Sequence, residues 1–231
     1  MSQLDLFNDE KTQVYYAELD LDGLFELSVD AYYTALNASM SELPIKNELI
    51  RFVEKVKSAG VKFGSAKNGS TKNGDDRKEA DKAASDRGDP DVCAVLSAAG
   101  KVQHELHRLF GMLRFRPDAN GVFTARCAPD HFCLPAMADH FTMRFGDTPW
   151  AIIDEKRSLC LCRQDGGDAK LIPWSLEDAQ YAKSNNSIAD SWEDLWRLYN
   201  KTISIEGRKN LKLQHQLMPE RYRRYLTEIT N

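Results

Sequence analysis

Apolar residues recur at the spacing of an α-helix in three segments of the first half of the chain. The segments cover about residues 20–36, 44–60 and 91–110, and residues 14–19 have the composition of a strand. We expect the apolar stripes of the three helices to be buried. Their members are Leu24, Leu27, Ala31, Ala35, Leu49, Phe52, Val53, Val56, Val95, Val102 and Leu106.

Residues 64–90 differ from both flanking segments. They contain no aromatic residue and no Val, Ile, Leu or Met, and six basic residues are mixed with six acidic ones. Such a segment cannot bury enough apolar surface to offset the entropy that is lost on ordering. We therefore predict a disordered loop over 64–90.

The second half of the chain alternates short apolar runs with turn signals and two longer helical patterns. Asn120-Gly121 is a strong hairpin signal between two such runs. The predicted elements are strands over 113–116 and 122–126, a helix over 134–145, strands over 150–154 and 159–163, and helices over about 191–204 and after Pro219.

These elements predict an α+β fold, in which a small, mainly antiparallel sheet built from two hairpins is packed by helices before and after it. Residues 1–13 are short and polar and predict a flexible N-terminal tail. Residues 14–231 then form one domain, interrupted by the loop at 64–90.

The overall composition is that of an ordinary globular protein, with 231 residues, 42% hydrophobic and 29% charged, and a net charge of −4. The distribution of charge is more informative than the sum. Residues 197–224 hold eight basic and two acidic residues, a balance of +6, with tyrosines among them. Basic groups neutralise phosphates and aromatic rings stack on bases. Candidates for nucleic-acid contact are Arg208, Lys209, Lys212, Arg221, Tyr222 and Arg224. The alternative is a solvated helix face that pairs with the acidic N-terminal third.

Five cysteines and an N-terminus without a secretory signal favour reduced, buried thiols in a cytoplasmic protein. Neither the cysteine spacing nor the pair His104 and His107 matches a common metal motif, so we predict no metal and no cofactor. No apolar run approaches the length of about 20 residues that spans a bilayer.

The N-terminal tail carries the pentapeptide Gln3-Leu4-Asp5-Leu6-Phe7. This peptide is similar to the linear motif with which bacterial polymerases and repair proteins dock on the sliding clamp. A glutamine amide for a polar slot and three apolar anchors suit a preformed groove. The alternative is that Leu6 and Phe7 pack on the protein's own domain.

A set of polar residues could form an enzyme site. Histidine transfers protons near neutral pH, arginine holds phosphate, and an aspartate can orient a histidine. The alternative is that the arginines and the aspartate form a buried ion network between hairpin and helix. The candidate catalytic residues are His107, Arg114, His140, Arg144 and Asp154.

Several motifs resemble one bacterial family of unknown function, labelled "probable DNA metabolism protein". They are His107-Arg-Leu-Phe-Gly-Met-Leu-Arg-Phe115, Pro129 with Leu134-Pro135, His140-Phe-x-x-Arg-Phe145, Trp150-Ala-Ile-Ile-Asp-x-x-Arg157, Glu206-x-Arg-Lys-Asn-x-Lys-x-Gln214, Met218-Pro-x-Arg-Tyr222 and Leu226-Thr-Glu228. The resemblance covers most of residues 91–231. It implies a place in DNA repair or modification beside a radical-SAM protein, and a link to uracil-DNA glycosylase-like proteins, to which some members are fused.

Together these observations predict an accessory DNA-binding protein of bacterial DNA repair or modification. Its expected partners are DNA, a radical-SAM repair or modification protein, the sliding clamp and a uracil-DNA glycosylase-like protein. Two alternatives remain: an enzyme that acts on DNA or a nucleotide through the polar residues, and an adaptor that contacts only proteins.

Overall fold

The computed structural model describes residues 19, 21–64, 72–118, 120–164, 166–175 and 191–227. These residues form two compact units: a helical unit of residues 19–106 and 131–133, and a sheet unit of residues 107–130 and 134–227. The predicted tail, the docking peptide and nearly all of the strand over 14–19 lie outside the described residues. The single domain over 14–231 stays a prediction.

The helical unit consists of helices that the apolar periodicity predicted, except for α4. They are α1 (Leu21–Leu27), α2 (Val29–Ser39), α3 (Lys46–Gly64), α4 (Lys72–Ala84) and the first part of α5 (Pro90–Met112). The expected stripe of α3 is buried, from Leu49 to Val56. Gly60 does not end α3 as we predicted, because the helix continues to Gly64.

The helix predicted over about 20–36 is two helices, because the helical conformation is interrupted at Ser28. The backbone of Ser28 is extended, and its hydroxyl oxygen accepts a hydrogen bond of 3.1 Å from the N–H of Ala31. This is N-cap geometry, so a new helix begins at the next residue. The apolar residues keep their helical spacing across Ser28, so the sequence pattern does not indicate the interruption.

The prediction of a disordered loop over 64–90 is wrong from residue 72 onward, where the chain forms helix α4. Residues 65–71 lie outside the described chain. Ala80 and Ala84 are buried, and the hydroxyl of Ser28 donates to the Asp81 carboxylate at 2.5 Å. Lys, Glu and Ala all favour helix, so local propensity supports α4. The buried residues of its described part are alanines, and a pattern based on large aliphatic residues does not include them.

The described residues of the sheet unit form five strands in the order β1-β2-β3-β4-β5. They are β1 (Arg116–Pro117), β2 (Phe123–Cys127), β3 (Trp150–Asp154), β4 (Leu159–Arg163) and β5 (Lys170–Pro173). The antiparallel pairs β1–β2 and β3–β4 correspond to the two predicted hairpins, and the α+β class is confirmed. The first strand, however, is Arg116–Pro117 and not 113–116. Strand β5, antiparallel to β4, was not predicted.

The two hairpins meet through a parallel pair, β2 and β3, which pairs Phe123 with Trp150. Parallel neighbours need a crossover connection, and helix α6 (Leu134–Phe145) provides it. Phe141 of α6 is fully buried, with its ring centroid 6.1 Å from that of Trp150. This packing fixes the last turn of α6, with Arg144 and Phe145, near the start of β2.

The C-terminal part of the sheet unit is helical. It comprises α7 (Ser191–Ile203), a 3₁₀ turn (Glu206–Arg208), α8 (Leu211–Leu217) and α9 (Glu220–Arg223). Among the described residues, no helix combines the length and the apolar character needed to cross a membrane. Of the five thiols, Cys127, Cys133 and Cys160 are buried, Cys162 is half-buried and Cys93 is exposed.

The packing of α4 predicts a large effect for Ala80→Asp. The substitution places a carboxylate in a fully buried position, so the free energy of unfolding should fall by about 3 kcal/mol or more in urea denaturation. The control is Arg77→Asp, at an exposed position of the same helix, which should change it by less than about 0.5 kcal/mol. Equal stability of the two variants would mean that α4 contributes nothing to the packing.

Candidate nucleic-acid interface

A cleft of about 480 Å³ lies in the sheet unit and gathers basic and aromatic side chains. We call it the arginine cleft. The described residues that line it include three arginines and no acid. They are Gly111, Leu113, Arg114, Phe115, Arg116, Phe123, Arg144, Phe145, Trp196 and Thr227.

The three arginines come from three different elements. Arg114 follows the end of α5, and its guanidinium donates to the carbonyl oxygens of Gly111 at 3.0 Å and Leu113 at 3.4 Å. Arg116 lies in β1, and Arg144 lies in the last turn of α6. Arg144 is exposed and forms no hydrogen bond or ion pair within the part of the chain that the structure describes. Its positive charge is therefore available to a ligand.

Aromatic rings form the rest of the wall. The ring centroids of Phe115 and Phe145 are 4.8 Å apart, and those of Phe123 and Phe145 are 5.6 Å apart. On α7, Trp196 is 40% exposed and stacks on Tyr199, with centroids 5.7 Å apart and planes at 27°. The guanidinium carbon of Arg114 lies 5.9 Å from the Trp196 ring. Guanidinium and aromatic faces thus lie side by side.

Contacts of the terminal segment place α7 beside the cleft. The Nε of Arg197 on α7 donates to the carbonyl oxygen of Thr227 at 3.2 Å, and Thr227 itself lines the cleft. Trp196, the preceding residue, faces the same cleft. Thr227 and α7 therefore complete a wall that begins with α5, β1 and α6.

Of the five predicted catalytic residues, the structure brings only Arg114 and Arg144 together in this cleft. His107 is exposed on α5. His140 stacks on Phe110 with a centroid distance of 4.3 Å. Neither histidine lines the cleft, and neither does Asp154.

Asp154 has a structural role in the turn that follows β3. Its Oδ2 accepts from the Arg157 guanidinium at 2.7 Å, and its Oδ1 accepts from the N–H groups of Lys156 at 3.0 Å and Arg157 at 3.3 Å. Burial raises the pKa of Asp154 above its ordinary value, although Arg157 opposes the shift. Asp154 thus closes the turn after β3 and orients no histidine. The predicted ion network with Arg114 and Arg144 is wrong, because Arg157 is the partner.

The basic residues that were predicted to contact phosphate fall into two groups: those without an ion pair in the described chain, and those that lie near a carboxylate. Arg208 and Lys212 are exposed, and neither forms an ion pair within the described chain. Lys209 pairs with Glu206, Arg221 with Asp130 at 2.9 Å, and Arg224 lies 3.9 Å from a Glu155 oxygen.

Tyr222 cannot serve as a stacking surface in this structure, because it is only 3% exposed. The Arg221 guanidinium carbon lies 4.8 Å from its ring. The hydroxyl of the neighbouring Tyr225 donates to Glu155 at 2.7 Å. Burial is the largest cause that raises the pKa of Tyr225, and this hydrogen bond is the second. Both tyrosines are structural. Two exposed rings close to the cleft are those of Trp196 and Tyr199 on α7, which the amphipathic pattern alone could not distinguish from buried ones.

The fold and the cleft define an α+β protein with an arginine-rich and aromatic candidate binding site. A family model described as a domain of unknown function, DUF4130, matches residues 75–228, and the chain belongs to this family. No curated protein and no solved structure matches the chain.

The pair of Asp154 and Arg157 predicts a pH-dependent loss of stability. In Arg157→Gln the buried carboxylate loses its cation, and the free energy of unfolding should fall by about 3 kcal/mol near neutral pH. Burial already raises the pKa of Asp154 in the folded chain, so ionisation opposes folding. The loss should therefore grow as the pH rises from about 4 to 7.

Urea denaturation across this pH range is the measurement. Adding Asp154→Asn should recover part of the stability, because the unpaired charge is removed. Arg144→Gln, at an exposed site without an ion pair, is the matched control and should have little effect. A loss that is constant with pH would contradict the assignment.

Proposed function

We propose that the chain is an accessory DNA-binding protein of bacterial DNA repair or modification. The observation that carries the proposal is the arginine cleft, which three arginines line and in which no described lining residue is acidic. Phosphates bind such sites through charge and through paired N–H donors, which arginine presents in a rigid plane.

A second support comes from the motifs that resemble the DNA metabolism family. Gly111, Arg114 and Phe115 belong to the first motif, Arg144 and Phe145 to another, and Thr227 to the last. These segments are far apart in the chain, and all of them line the cleft. A common binding role explains why the same motifs converge there.

Further phosphate contacts are available in the C-terminal helical part of the sheet unit, residues 191–227. Arg208 and Lys212 are exposed and have no acidic partner in the described chain. Lys209, Arg221 and Arg224 remain candidates, since ion pairs at a surface contribute little free energy and can exchange a carboxylate for a phosphate. Tyr222 is buried, so its ring is not accessible for stacking on a base.

The partners belong to the same proposal. The peptide Gln3-Leu4-Asp5-Leu6-Phe7 would dock on the sliding clamp and bring the protein to replicating DNA. The family resemblance supports a radical-SAM companion and a uracil-DNA glycosylase-like protein, acting together in the bacterial cytoplasm.

An adaptor that contacts only proteins is the second candidate. It is favoured by the apolar side chains that α7, α8 and the link between them expose, because exposed apolar surface is typical of protein interfaces. They are Leu195, Leu198, Ile203, Ile205, Leu211, Leu213 and Leu217. The enzyme alternative loses support, because Asp154 and the two histidines do not line the cleft.

DNA binding should depend on salt and on Arg144. In fluorescence anisotropy with a labelled oligonucleotide, Arg144→Glu should weaken binding about tenfold and reduce the slope of log K against log salt by about one. Arg77→Glu, an exposed charge reversal in the helical unit, is the matched control and should leave both nearly unchanged. Absence of binding at low salt, or equal losses in the two variants, would refute DNA binding at this site.

Clamp docking has a separate test. Leu6→Ala combined with Phe7→Ala should reduce retention on immobilised bacterial sliding clamp by about tenfold or more, since apolar anchors dominate such interfaces. The control is Asn8→Ala combined with Asp9→Ala, next to the peptide. Full retention of the first double variant would show that these residues do not bind the clamp.

A further inference from the structure

We propose that the arginine cleft receives one unpaired nucleotide of DNA, with its base against the aromatic wall and its phosphates on the arginines. The inference rests on the proposed DNA-binding function and specifies the form of DNA that the site takes. It predicts a preference for single strands, or for a base outside the stack, over intact duplex.

The shape of the site is the first argument. Phosphates along a duplex lie on its outside and can be neutralised by basic groups on an open surface. The cleft is an open depression, and its volume of about 480 Å³ lies within the range of sites that receive a small molecule or one group of a larger one.

The chemistry of the wall is the second argument. Four of the lining residues are aromatic: Phe115, Phe123, Phe145 and Trp196. Phosphate gains nothing from these rings, whereas an unpaired base can stack on them. Among the described lining residues, the uncharged side chains offer only two polar groups, the hydroxyl of Thr227 and the indole N–H of Trp196, so the wall favours stacking over the reading of base edges.

Two of the arginines differ in how they are held, and this difference suggests separate roles. Arg114 is anchored by the carbonyl oxygens of Gly111 and Leu113, and its guanidinium lies beside the Trp196 ring. A guanidinium in this position can stack on a base or hold the phosphate attached to it. Arg144, exposed and without a partner in the described chain, is suited to a flanking phosphate.

The pair of Trp196 and Tyr199 extends the aromatic surface beyond the cleft. The two rings stack one helical turn apart on α7, and Tyr199 is 52% exposed. Tyr199 can receive the base that neighbours the enclosed one, as aromatic side chains do in proteins that bind single strands. In an intact duplex both bases are stacked and paired, so using this surface requires unpairing at a cost in free energy.

The test uses one oligonucleotide with a central 2-aminopurine in three forms: the single strand, the perfect duplex with thymine opposite, and a duplex in which the 2-aminopurine is bulged. We expect the single strand and the bulge to bind about tenfold more tightly than the duplex. Stacking in the cleft should quench the 2-aminopurine of the bulge on binding. This readout uses the unaltered protein and needs no variant.

Trp196→Ala should weaken single-strand binding about tenfold and leave duplex binding within about twofold, and Trp196→Phe should retain most of it. Equal affinity for all three forms, without quenching, would overturn the inference. If Arg144→Glu still weakened that binding, the proposed function would stand. Absence of binding to every form at low salt would remove both.

Discussion

The sheet unit depends on the packing of one ring, that of Phe141, between helix α6 and the sheet. Phe141 is fully buried, and the centroids of Phe115, Phe110 and Trp150 lie 5.0, 6.0 and 6.1 Å away. Aromatic rings at these distances contribute specific orientation as well as buried area. They hold α6 over the parallel pair of β2 and β3, which the helix itself connects. Without this packing, the residues at the end of α6 would have no defined position.

The cleft is a consequence of that packing. The ring of Phe115 contacts both Phe141 in the core and Phe145 in the wall, so core and site share one aromatic cluster. The arginines lie at its edge, where their charges remain hydrated. The one acid that the sequence had associated with them, Asp154, is buried and bound to Arg157. Positive charge at the cleft is therefore not cancelled by this carboxylate.

Much of the fold was predictable because local pattern and tertiary packing agree. The bounds of α6, β3 and β4 match the expected ranges 134–145, 150–154 and 159–163. The failures have identifiable physical causes. Ser28 interrupts a helix through one side-chain hydrogen bond, which does not disturb the apolar period. Helix α4 buries alanines, whose contribution depends on close approach to α3 and not on hydrophobicity alone.

The sequence by itself determined the α+β class, most helices and strands, and the motifs that carry the family resemblance, because these follow from short-range periodicity and turn chemistry. The tertiary structure decided which members of those motifs meet. Exposure depends on distant neighbours: Trp196 is exposed although it lies in an amphipathic helix, and Tyr222 is buried although it lies among arginines. No local pattern encodes these two environments, because each depends on segments that approach only after the sheet and α6 have packed.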